Sequence, residues 1–305
     1  MTTLIKLYGA PVSTCTARVM TCLHEKAVDF ALVPVDLFSC EHKQPPFLAK
    51  NPFGQIPVLE DGDLTLFESR AMTAYVAEKF KEAGTDLIRH HDLKEAALVK
   101  VWIEVESQQF HPAIAPIVYE YFVAPIQGKS PDQGVIDANL EKLSKVLDVY
   151  EAKLSSTKYL AGDFYSLADL HHLPYTYYFM KTPCASIISE RAHVKAWWED
   201  ISSRPAFKKA SEGLVYKPKI GDEVVVREQE SRASKGFGCV GARLNDCEDV
   251  IVAGDKKYQL SSTNKIPSER KLCDPLNGGT YIDIGGFEEE HGPPSVRGNN
   301  YAIVQ

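Results

Sequence analysis

One stretch narrows the possible folds more than any other: residues 51–70, NPFGQIPVLEDGDLTLFESR. Proline removes a backbone donor, and X-Pro bonds are nearly the only ones that tolerate the cis form. Gln55-Ile56-Pro57 therefore reads as a tight turn that leaves the backbone groups of Ile56 free to pair with a peptide laid alongside, as an added strand would. Val58–Glu60 and Leu64–Phe67 are short apolar runs, and Asp61-Gly62-Asp63 between them signals a hairpin turn. Glu68-Ser69-Arg70 then opens a helix whose free N–H groups, hydroxyl and dipole suit a carboxylate. A site that pairs with a short backbone and holds a carboxylate fits a small anionic peptide.

The flanking sequence extends this pattern into a domain. Ile5–Tyr8 reads as a strand broken by Gly9-Ala10-Pro11, followed by a helix from Ser13 to Lys26 and a buried strand from Phe30 to Val35. Strand, helix, strand is a βαβ unit with a right-handed crossover. The hairpin and a helix from Ser69 to Phe80 add ββα, which together make a thioredoxin-like α/β domain over residues 1–82. Residues 83–91 read as a linker, and residues 92–219 as an all-helical domain. Asp92-Leu93-Lys94-Glu95 and Ser166-Leu167-Ala168-Asp169 both look like capping boxes. Pro112 and Pro116 are expected to kink or interrupt the first of these helices, and a last helix from His193 is expected to stop at Arg204-Pro205.

Residues 220–305 differ in character. They hold most of the 19 glycines and none of the three tryptophans, and apolar periodicity is weak. They read as a mostly irregular, poorly ordered extension, as a small accessory module, or as an altered gene end. A hairpin around Ala253-Gly254-Asp255 and a short strand at Tyr281–Ile284 are its local signals.

Bulk properties exclude several classes. A net charge of −7 argues against nucleic-acid binding. No apolar run approaches a membrane span, and MTTLIKLYGA lacks a signal peptide's apolar core, so a cytoplasmic protein is expected. The seven cysteines are odd in number, scattered, and without a CxxC pair, so free thiols and no metal are expected. His171 and His172 are adjacent on a helix, point about 100° apart and lack a third ligand.

Residues 3–215 resemble the plant phi class of the glutathione transferases, on NPFGQ-x-P, EDGD, LFESRA and KLYGAPVSTCTAR in that order. The resemblance implies the glutathione transferase fold, a thioredoxin-like domain followed by an all-α domain. It implies conjugation of glutathione, as co-substrate, to a hydrophobic small-molecule electrophile, with organic hydroperoxide reduction as a further capacity. A non-catalytic carrier of flavonoid-, anthocyanin- or hormone-like molecules is the alternative. Ser13 matches the family's catalytic serine; Thr14 is the competing hydroxyl. Cys15 reads as a small packed residue, and a thiol transferase built on it is a third reading. His42 and Lys43 match the pair that reaches the glycyl carboxylate. Gln55 and Ile56 match the contacts to the peptide backbone, and Glu68 and Ser69 those to the γ-glutamyl end, with Arg70 supporting the helix start. For the electrophile, the apolar candidates are Val12, Leu37, Phe110, Ile117, Tyr121 and Tyr178. The family is dimeric, and Phe53 is placed to insert into a partner subunit.

The chemistry is explicit. A free thiol with a pKa of about 8.5 is only a few per cent thiolate at neutral pH, so a hydroxyl and a helix N-terminus beside the sulfur are needed to stabilise the anion. Each ~1.4 kcal/mol of preference for the anion lowers that pKa by about one unit.

Overall fold

The computed structural model describes residues 4–215 and the backbone of four short strands beyond them. The first unit runs β1 (Ile5–Gly9), α1 (Thr14–Glu25), β2 (Phe30–Pro34), a 3-10 turn (Glu41–Lys43), α2 (Pro45–Leu48), β3 (Val58–Asp61), β4 (Leu64–Leu66) and α3 (Ser69–Lys79). Its sheet has the order β2-β1-β3-β4, with β1 and β2 parallel and the other pairs antiparallel. This is the mixed thioredoxin-like sheet expected from the βαβ and ββα patterns. Leu7 is paired with Leu32 on one side and Leu59 on the other, so the buried centre of the sheet falls on β1. β2 is half-buried rather than buried, because it forms the sheet's edge. Gly62, at φ 65°, takes the turn position between β3 and β4 that a side chain would resist.

The helical unit comprises α4 (Leu93–Val105), α5 (His111–Phe122), α6 (Gln133–Leu154), α7 (Leu167–Leu170), α8 (Leu173–Phe179), α9 (Ser186–Ser189), α10 (Ala192–Ser203) and α11 (Pro205–Ser211). Asp92 caps α4, accepting from Lys94 and Glu95 N–H at 2.8 and 3.0 Å. The two prolines do not break the next segment. A π turn over Glu106–Phe110 joins α4 to α5, with the His111 N–H bonded to the Glu106 carbonyl. That wider turn absorbs one residue, so Pro112 falls in the first turn of α5, where a missing N–H costs little. α10 stops at Ser203, ahead of Arg204-Pro205 as expected, but it is not the last helix: Pro205 starts α11, since proline suits the first helical position.

The capping box at Ser166 is present in full. Ser166 Oγ accepts from Ala168 N–H at 3.2 Å, and Asp169 Oδ2 accepts from Ser166 N–H at 3.1 Å. Asp169 Oδ1 also accepts from Trp197 Nε1 at 2.9 Å and from Leu160 N–H at 3.1 Å, which ties α7 to α10. Burial raises the Asp169 carboxyl to about 6, against the pull of those donors. His172 bonds Ala168 O and Tyr150 Oη, and His171 bonds Thr73 Oγ1, so both rings serve packing between elements.

Further along the chain, β5 (Val250–Ala253) pairs with β6 (Lys256–Gln259), the hairpin expected around Gly254. β7 (Leu272–Cys273) pairs with β8 (Thr280–Tyr281), which overlaps the strand expected at Tyr281. The expected disorder of the rest of 220–305 lies outside the described residues. Among the described residues, no helix is long and apolar enough to cross a membrane. Cys15, Cys22 and Cys184 are free, whereas Cys40 is disulfide-bonded, which corrects the expectation of free thiols throughout.

Candidate active site

α1 begins where β1 ends, because Gly9-Ala10-Pro11 stops the strand and Ser13 supplies a cap. Ser13 has extended backbone angles (φ −76°, ψ 128°), and its Oγ accepts from Thr16 N–H at 3.3 Å. An acceptor so engaged keeps its own proton available to donate outward. Ser13, Thr14 and Cys15 all line a cavity of about 520 Å³ between the two units.

The opposite lip of the first unit is the 51–57 turn and the start of α3. Asn51, almost fully buried, organises the turn: its amide donates to Gln55 O at 2.7 Å and accepts from Phe53 N–H at 3.1 Å. The Ile56–Pro57 peptide is cis. Gln55, Ile56, Glu68, Ser69 and Arg70 line the cavity. Glu68 sits at φ 69°, a left-handed conformation that a non-glycine residue adopts at a cost of order 1–3 kcal/mol. Such strain is retained where a side chain must be aimed.

Beneath this lip lies a buried charge cluster. Arg18, fully buried, donates to Ser69 Oγ at 2.8 Å, to His171 O, and to Glu106 at 3.4 Å. Arg70 grips Glu106 through two bonds of 2.6 and 3.0 Å. Burial alone would raise the Glu106 carboxyl, but Arg18 and Arg70 override it and hold the group at about 2. Two guanidiniums against one carboxylate leave a net positive charge behind the N-termini of α1 and α3, which favours an anion in the cavity.

The far wall is one face of α5: His111, Ala115, Val118, Tyr119 and Phe122, followed by Val123 and Ile126. Val12, Leu37, Phe38, Tyr175 and Tyr178 complete the apolar surround. Tyr178 Oη donates to Val12 O at 2.9 Å, bridging α8 to the loop before α1. Thr14 is hydrogen-bonded to Tyr175, whose hydroxyl is pushed up to about 12, chiefly by burial. That engagement leaves Ser13 as the freer hydroxyl. Burial, then the nearby Arg18 charge, lowers His111 to about 4, so its ring is neutral at pH 7.

The chain matches two family descriptions: the glutathione S-transferase N-terminal domain over residues 4–78 and the C-terminal domain over residues 110–205. Glutathione S-transferase F13 of Arabidopsis thaliana is 61% identical over 214 residues, 70% of this chain and 98% of its own. The crystal structure of glutathione transferase F7 from Populus trichocarpa shares 76% identity at a TM-score of 0.69, covering 70% of this chain and 100% of that one. This chain belongs to the glutathione S-transferase family, in its plant phi class. A maize transferase solved in complex with an atrazine glutathione conjugate matches at 48% identity and a TM-score of 0.66, covering 70% of this chain and 98% of that one.

Against this transferase site the residues expected from sequence divide clearly. The structure brings Val12, Ser13, Leu37, Gln55, Ile56, Glu68, Ser69 and Tyr178 to one cavity. Phe110 and Ile117 are 1% and 0% exposed in the core. Tyr121 bonds Cys184 at 3.5 Å and does not line the cavity. These three lie on other faces of the segment; helical phase places His111, Ala115, Val118 and Phe122 together instead. His42 is 1% exposed with its carbonyl oxygen against Gly54, and neither it nor Lys43 lines the cavity; Lys43 Nζ donates to Phe53 O at 3.1 Å. Cys15 lines the cavity instead of being packed away, its Sγ 3.7 Å from Arg18 Nη1. Asn51 and the α5 face were missed. The Tyr119 and Phe122 spacing was the available signal, but it competes with an equally aromatic core face.

Proposed function

We propose that glutathione lies in this cavity with its peptide along Ile56, its γ-glutamyl end at Glu68 and Ser69, and its sulfur facing Ser13. The protein is a glutathione transferase, and its relatives' names do not favour the carrier reading. The observation that carries the assignment of roles is the Ser13 hydroxyl at the head of α1. Its oxygen is committed to Thr16 N–H, so its proton is free to stabilise a thiolate. Ser69 is arranged alike: Arg18 donates to its oxygen, leaving its proton for a carboxylate. Glu68 meets the α-ammonium. Lys43, half-buried on its loop, reaches the glycyl carboxylate by leaving the Phe53 carbonyl, and His42 supports that loop from below.

The thiolate then attacks an electrophilic carbon held against Val118, Tyr119 and Phe122, and the leaving group departs or the proton returns to the adduct. Water exclusion by that apolar wall strengthens the hydrogen bond from Ser13. The same thiolate attacks the terminal oxygen of an organic hydroperoxide, releasing an alcohol. A second glutathione then displaces water from the resulting sulfenic acid to give the disulfide.

Ser13→Ala tests the assignment. Loss of one charge-assisted bond of about 1.5–3 kcal/mol is expected to lower conjugation on the order of ten- to a hundredfold and to raise the bound-thiol pKa by one to two units. Glutathione affinity is expected to stay near wild type. An unchanged thiol pKa overturns the role of Ser13. The lost cap costs stability as well, about 1 kcal/mol, so activity is compared below the melting transition.

A further inference from the structure

Away from the cavity, Glu82, His90 and His91 each place one potential ligand atom within 4.8 Å of the other two. They occupy the connection between α3 and α4. His90 and His91 are the central residues of a tight turn closed by Asp92 N–H to Arg89 O at 3.0 Å. That turn is fixed from both sides. Asp86 Oδ1 accepts from Ile88 and Arg89 N–H, the Arg89 side chain bonds Glu95 at 2.7 Å, and Asp92 caps α4. The two imidazoles lie 3.6 Å apart between ring centroids. Both ring nitrogens of His90 are enclosed and find no hydrogen-bond partner, and Glu82 Oε1 is 3.7 Å from Nε2, beyond bonding reach. Lys26, the neighbouring cation, is committed to Thr85 O at 2.7 Å. Buried polar atoms left unpaired on a rigid turn point to a partner such as water or an ion.

We propose that Glu82, His90 and His91 bind a divalent transition-metal ion of the Zn²⁺ type. Two imidazole nitrogens and one carboxylate oxygen suit Zn²⁺ or Cu²⁺ and not the all-oxygen shells of Mg²⁺ or Ca²⁺. Bonds of about 2.0–2.1 Å require tetrahedral ligand atoms to sit about 3.4 Å apart. The ligand atoms lie within 4.8 Å of one another, and Glu82 and His91 are the exposed side chains on which closing that gap falls. The fourth position remains for water. The ion would pin the end of α3 to the start of α4 and so act on the joint between the two units.

Calorimetric titration of the metal-free full-length protein with Zn²⁺ tests this. One saturable site per chain is expected. His90→Ala and His91→Ala are each expected to weaken it by roughly tenfold or more, since even indirect supports of a metal site are worth that much. Glu82→Gln is expected to weaken it as well, and thermal unfolding at a fixed Zn²⁺ concentration is expected to shift upward less in each variant than in the unmutated protein. No saturable uptake, or uptake that both histidine variants retain, overturns the proposal.

Discussion

Three hydroxyl or thiol groups stand at the head of α1, and their partners separate their roles. Thr14 bonds Tyr175, Cys15 faces Arg18, and Ser13 accepts only from the helix backbone. Cys15→Ala is therefore expected to keep conjugation within about a factor of ten of wild type, less than ~1.4 kcal/mol in the barrier. A larger loss in an initial-rate assay would move the chemistry from Ser13 to the protein's own thiol. Glu106 is decided by magnitude. It loses hydration on burial, yet two guanidiniums hold it ionised at about 2. Its folded pKa lies below the ordinary carboxylate value, so the stability it contributes is fully present above pH 4–5. That stability is lost as pH falls through about 2. Glu106→Gln leaves two buried cations without their counter-ion and is expected to cost about 3–5 kcal/mol in denaturant unfolding at pH 7. It should also flatten the acid limb of the stability profile.

At the scale of elements, α5 supplies the far wall of the cavity. Its cavity face recurs at Ala115, Val118, Tyr119 and Phe122, whereas Ile114 and Ile117 point into the core. Phe122→Ala is expected to raise KM for a bulky aromatic electrophile severalfold while KM for glutathione is kept, because the glutathione placement proposed above uses the other unit. Tyr121→Phe is expected to leave both unchanged. A reversed pattern in steady-state kinetics would put the acceptor on the Tyr121 face. The π turn before α5 sets this phase: one extra residue rotates everything after Glu106 by about 100°. Apolar and aromatic character, the ground on which Phe110, Ile117 and Tyr121 were candidates for the lining, carries no information about that rotation.

For the whole molecule, the two units are joined by polar contacts as well as by core packing. Arg204, ahead of α11, grips Glu25 of α1 at 2.6 and 2.7 Å, and Arg18 reaches His171 and Glu106 across the same joint. The outer surface is less complete. Phe53 is 65% exposed, and Leu93, Leu98 and Val101 are exposed along α4. Single exposed apolar residues are ordinary; the 65% exposed aromatic Phe53 is the one the resemblance puts at an interface between two copies. Phe53→Ala is expected to shift a homodimer toward monomer in sedimentation velocity. A monomeric wild type would remove that expectation.

The sequence by itself determined the βαβ and ββα order of the first unit, the helix caps at Ser13 and Ser166, and the 51–70 lip of the cavity. Each depends on neighbours within a few residues: Ser13 on Thr16, Ser166 on Asp169, the hairpin on Gly62. Local chemistry of this kind is written in the chain and is little altered by packing. Only the tertiary structure decided which face of α5 meets the cavity, that Arg18 and Arg70 share Glu106, and that His42 is enclosed. Those outcomes couple residues far apart in the chain, and they turn on helical phase and on which charges lose their water together. No local window carries either quantity.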